Sequence, residues 1–147
     1  MKKTIILCLF FIFMNQLTAQ VAKYTSYQSA MMKKNNSGEF RIPTEWQNKQ
    51  MKIVLDLDSR KLQIFSIDFS GVFPTSVDQE IQLITLQAKS AIIGNSGFAI
   101  FNGLDNTGNH CVVRFNFKKG VNDIYDGLLQ IEYPETQSIY KIRKEPI

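Results

Sequence analysis

The chain has 147 residues, 44% of them apolar and 20% charged, with 17 basic against 13 acidic side chains. That length supports one domain of ordinary size and excludes a second sizeable one, and the composition excludes a disordered chain. The net charge of +4 comes from short, separate runs (Lys33-Lys34, Lys118-Lys119, Lys141-Ile142-Arg143-Lys144). No clustered basic face is visible, so no nucleic acid is expected as a partner.

The first 19 residues read as a leader. Met1-Lys2-Lys3 is a basic start, Ile5 to Met14 is an apolar run, and Asn15-Gln16-Leu17-Thr18-Ala19 ends in a small residue. This is the pattern of a secretory signal peptide cut after Ala19. About ten apolar residues fall short of the roughly 20 that a membrane-crossing helix needs. The expectation is an exported protein, periplasmic or secreted, with no transmembrane segment after cleavage and residues 20–147 as one β-rich domain. Losing Lys2 and Lys3 lowers the net charge from +4 to +2. Cys111 is then the one remaining thiol, which excludes an internal disulfide and suits burial in a strand.

Strand signals fill the rest of the chain. Lys23 to Met32 opens it, closed by the turn Asn35-Asn36-Ser37-Gly38. Met51, Ile53, Leu55 and Leu57 alternate with Lys52, Val54, Asp56 and Asp58, and after Asp58-Ser59-Arg60 the face resumes with Leu62 and Ile64. A period of two on both sides of a turn predicts a β-hairpin with one wet face. Glu80 to Leu86 reads as a strand with a change of face between Leu83 and Ile84. The same stretch also shows capping-box spacing at Ser76-Val77-Asp78-Gln79, and Ile81, Ile84 and Ala88 recur at helical intervals. A short helix near 77–91 therefore competes with the strand. Phe98 to Leu104 and His110 to Phe117 flank the turn Asp105-Asn106-Thr107-Gly108-Asn109. Cys111, Val113, Phe115 and Phe117 share a face. Asn122 to Gly127 reads as a connection ending in the turn pair Asp126-Gly127, before a last hairpin from Leu128 to Tyr133 and Ile139 to Ile142. The fold expected is an antiparallel meander of seven to eight strands, closed as a small barrel or left as a half-open sandwich.

Catalytic constellations are scarce. His110 is the single histidine, so a zinc site built from several His or Cys ligands is excluded, and no cofactor is expected. On a strand, His110 and Cys111 point to opposite faces and cannot share a proton. No nucleophile elbow and no phosphate loop occurs. Carboxylates remain as the alternative: Asp56, Asp68 and Asp105 could serve a hydrolase-like enzyme if two of them met in one cleft about 5–10 Å apart. Otherwise Asp56 and Asp58 read as solvated strand-face residues and the Asp105 segment as a hairpin turn.

Three aromatic residues stand out as contacts. Trp46 lies in the polar stretch Pro43-Thr44-Glu45-Trp46-Gln47-Asn48, where it either caps one end of a barrel or anchors a partner. Phe69 and Phe73 lie in Ile67-Asp68-Phe69-Ser70-Gly71-Val72-Phe73-Pro74, where they plug the core opening or border a ligand mouth. The expected function is a non-enzymatic, monomeric β-domain that binds a protein partner or a small apolar ligand.

The leader ending Leu17-Thr18-Ala19-Gln20, the hairpin Ile53-Val54-Leu55-Asp56 … Leu62-Gln63-Ile64, and Leu104-Asp105-Asn106-Thr107-Gly108-Asn109-His110-Cys111-Val112-Val113 together resemble small exported β-rich proteins of unknown function from Bacteroidota. The resemblance spans most of the chain through turns and alternating strands. It implies a bacterial exported β protein and carries over no activity and no site. The strand count is also similar to lipocalin-type barrels, although their Gly-x-Trp signature near the first strand is absent.

Overall fold

The computed structural model describes residues 21–67, 77–90, 97–119 and 125–145. Strands follow in the order β1 (Val21–Lys33), β2 (Met51–Asp56), β3 (Lys61–Ser66), β4 (Val77–Ser90), β5 (Gly97–Asp105), β6 (His110–Lys119), β7 (Tyr125–Glu132) and β8 (Thr136–Lys144). Each pairs antiparallel with its neighbour in sequence, and β8 returns to β1, so the meander closes into a barrel. β1 is the closing strand. Its residues Val21–Ser26 pair with β2, and a register shift between Ser26 and Gln28 bends the strand so that it continues along β8 to Lys33.

Alternation along the strands fills the interior. Ile53 and Leu55 of β2, Leu62 and Ile64 of β3, Val113 and Phe115 of β6, and Leu129 and Ile131 of β7 are all buried in one apolar cluster. At the end where β1 begins and β8 finishes, Tyr24, Phe115 and Phe117 stack as three rings with centroids 5.6–5.9 Å apart. The small interior of an eight-stranded barrel is thus filled with side chains at that end.

No helix occurs among the described residues; the stretch that competed for one is β4. Its register against β5 shifts between Leu83 and Thr85 and again between Leu86 and Ala88. Each bulge inserts one residue, so an interval of two along a face becomes three, as from Leu83 opposite Gly103 to Leu86 opposite Phe101. The change of face expected after Leu83 is the first of these bulges: Ile81 and Leu83 point inward and are buried, and Ile84 is exposed.

The pair Asp126-Gly127 is a second correction. It lies inside β7 and makes no turn, because Gly127 pairs with Phe117 and Ile142. The requirement for glycine there is space: a Cβ would lie 2.4 Å from the backbone oxygen of Asn116.

The predicted β2–β3 turn forms at residues 57–60, with the Asp56 carboxylate accepting the Asp58 and Ser59 amides at 3.0 Å. Arg60 closes it at φ 54°. Left-handed backbone costs an L residue roughly 1–2 kcal/mol and glycine far less. Arg60→Gly is therefore expected to raise stability by about 0.5–1 kcal/mol, seen as a higher urea midpoint at unchanged slope. A lower midpoint would show that the Arg60 side chain stabilises the turn by more than its backbone costs.

Candidate functional site at the open end of the barrel

In a meander every second connection falls at the same end. The β1–β2, β5–β6 and β7–β8 connections, and the strand ends Ser66 and Val77, therefore share one rim. Among the described residues a cavity of about 560 Å³ opens there, within the usual range for a small-molecule site. Its floor is Met51, Ile64 and Tyr140, all buried inward-facing residues of β2, β3 and β8. Its rim is polar: Lys49, Ser66, Asp78, Gln79, Asp105, Tyr133 and Ser138.

The rim side chains hold one another in place. Gln79 faces inward opposite Ile64, and its amide donates to the Tyr133 hydroxyl at 3.0 Å, a strut from β4 to the β7–β8 turn. Ser66 donates to the Asp78 carboxylate, and Lys49 pairs with Asp78 at 3.9 Å. Asp105 serves its own turn. It accepts from the Asn109 amide at 2.8 Å, the Thr107 amide at 2.9 Å and the Thr107 hydroxyl at 2.8 Å. The Asn109 and Thr107 donors hold its carboxyl well below the usual carboxylate range, so Asp105 remains an anion.

Beneath Tyr133 lies Cys111. Burial, helped by the Asp105 charge, pushes the thiol up to about 11. Burial also raises the phenols of Tyr24, to about 12, and of Tyr133 and Tyr140. A group with a raised folded value stabilises the fold fully below its ordinary value and ceases to do so as pH climbs through the raised one. The ordinary values are 9.0 for the thiol and 10.0 for the phenols. Resistance to urea should therefore decline from about pH 9 to about pH 12, with a shallower decline in Tyr24→Phe and Cys111→Ala. A stability that stays level across this window would contradict the burial of these groups. The same burial makes Cys111 slow toward thiol reagents at neutral pH.

Asp56 and Asp105, two of the carboxylates considered for catalysis, do not meet. Asp56 lies in the β2–β3 turn and Asp105 in the β5–β6 turn, with β3 and β4 between their strands, and each caps its own turn. Asp68 lies outside the described residues. His110 is exposed and Cys111 buried, on opposite faces of β6. Among the described residues no group of three or more His, Cys, Asp or Glu could hold a metal ion.

Phe69 and Phe73 also lie outside the described residues; Ser66 and Val77, which flank that segment, are at the rim. Trp46 is described, and it lies on the outer wall, not over an opening. Residues 40–47 run back along β1 through bridges Lys34↔Phe40 and Ser29↔Gln47. There the Lys141 ammonium sits 4.2 Å from the Trp46 ring and donates to Gln28, whose amide in turn donates to Asn48. The adjacent cross-strand pair Ala30 and Ile139 is buried yet separate from the interior cluster, a small second apolar layer outside the barrel.

A second groove of about the same volume crosses the wall beside the rim, lined by Ile84, Asn102, His110, Val112, Glu132 and Pro134 and reaching Cys111 and Tyr133. The cavity is lined instead by residues of β1, β2, β3, β4 and β8 together with Lys49 and the β5–β6 turn. Lys49, Asp78, Gln79 and Tyr133 carry no binding motif; only the meander rule that alternate connections share an end would single them out. No protein-family model matches the chain, and no curated relative matches it.

Proposed function

We propose that the chain is an exported, non-enzymatic binding protein that takes a small ligand into the open end of its barrel. The observation that carries this reading is the cavity itself, with an apolar floor of Met51, Ile64 and Tyr140 under a polar rim. Such a site fits a molecule with an apolar body and a polar head. This refines the small apolar ligand expected from the sequence, since a wholly apolar molecule would leave the rim's polar groups facing it without compensation. Of the carboxylates considered for catalysis, Asp56 and Asp105 each cap their own turn, which disfavours a catalytic role for these two.

Native mass spectrometry of the protein purified from a bacterial host without detergent tests the reading. The expected result is an added mass that disappears on denaturation and that Tyr140→Trp, which narrows the cavity floor, reduces. A bare monomer that takes up no amphiphile when one is supplied would overturn it. The search would then turn to a protein partner, for which Ile42, 88% exposed beside the rim-end connection, is the first contact to test.

A further inference from the structure

Resting on the ligand reading above, we infer that the open-end cavity selects an organic cation: an alkylammonium head at the rim with its apolar chain against Met51 and Ile64.

The charge at the rim supports this. The whole chain is net positive at +4, yet the charged residues lining the cavity are Asp78 and Asp105 against Lys49 alone. The cavity is thus a locally negative opening in a basic protein. Asp105 is an anion fixed by its own turn, so its field persists whether or not a ligand is bound. Asp78 is the adaptable one. Its link to Lys49 is long, 3.9 Å, and the Lys49 side chain is 52% exposed, the kind of ion pair that contributes little and yields readily to a competitor.

Two tyrosines complete the site. Tyr140, 8% exposed, lines the floor and Tyr133 the rim. Ammonium groups are attracted to tyrosine ring faces, and methylated ammoniums, which shed water easily, gain most. Asp78 and Tyr140 line the same cavity, which puts carboxylate and ring on one space. An anionic head would meet the opposite arrangement: among the described residues no arginine lines the cavity, and the one lysine that does already faces Asp78.

The test compares three ten-carbon amphiphiles of different head group, decyltrimethylammonium, decanoate and decyl maltoside, by calorimetric titration at low salt below their micelle concentrations. The ammonium is expected to bind at least ten-fold more tightly than decanoate. Asp78→Asn should remove most of that preference while leaving maltoside affinity in place, and Lys49→Gln should strengthen ammonium binding several-fold. Circular dichroism confirms that both variants fold, and because their effects run in opposite directions a general loss of structure cannot mimic them. Decanoate binding as tightly as the ammonium, or a preference that survives Asp78→Asn, would overturn the inference. Maltoside binding alone would overturn it and leave the ligand cavity standing. Failure of all three would sink both.

Discussion

Phe115→Ala is expected to cost about 3–5 kcal/mol, a large share of the roughly 5–15 kcal/mol that holds a domain of this size folded. Phe115 is the largest of the fully buried side chains, at 0% exposure. It sits 5.9 Å from the Tyr24 ring and 5.6 Å from Phe117, so its loss removes two ring contacts as well as its own burial. The surrounding strands are tied into a closed ladder and cannot collapse into the space, which places the cost toward the upper part of the range. Urea unfolding should show a much lower midpoint with an unchanged slope. A loss below about 1 kcal/mol would mean that the three rings do not form the packed end of the barrel.

Gly127→Ala is expected to cost at least about 1–3 kcal/mol for a single added methyl. The added carbon would lie 2.4 Å from the Asn116 oxygen, which belongs to the β6 backbone and cannot rotate away. Gly103 makes a useful comparison. A methyl there would meet Ile81 Cγ2, on a stiff buried side chain, at 2.5 Å, but its nearest backbone atom, the Gln82 oxygen, is 3.2 Å away. Gly103→Ala should therefore be milder than Gly127→Ala. The order of their urea midpoints checks the claim; Gly127→Ala matching the wild type would show that β6 and β7 do not approach as closely as described.

Much of the fold was legible because half-buried strands write their geometry into a period of two. Ile53, Leu55, Leu62 and Ile64 alternate in sequence and are buried in the structure, and Cys111, Val113 and Phe115 behave in the same way. Turn chemistry was legible too: Asn35, Asp56 and Asp105 each accept the backbone amides two to four residues on. What was not legible depends on pairing. The bulges of β4 are defined against β5, and a single strand's sequence does not distinguish a bulged period of two from a helix. Gly127 reads locally as a turn residue, and only its distance to Asn116 reveals otherwise. Closure between β1 and β8 is likewise a long-range fact, made possible by one register shift at Ser26 and Gln28.

The site was less legible than the fold. Its rim residues, Lys49, Asp78, Gln79 and Tyr133, are scattered over 85 positions and share only the end of the barrel to which they belong. Trp46 was conspicuous by composition, yet its ring lies against Lys141 on the outer wall. A rare aromatic residue in a polar stretch marks packing on a surface as readily as it marks a binding site.

Among the described residues the barrel is packed with rings at one end and bears the proposed ligand cavity at the other. Nuclear magnetic resonance shift mapping during titration with decyltrimethylammonium distinguishes the two ends. Perturbed signals are expected at Met51, Ile64, Gln79 and Tyr140, with Tyr24, Phe115 and Phe117 unmoved. Shifts confined to His110, Val112 and Glu132 on the outer wall, or centred on the three stacked rings, would contradict this arrangement.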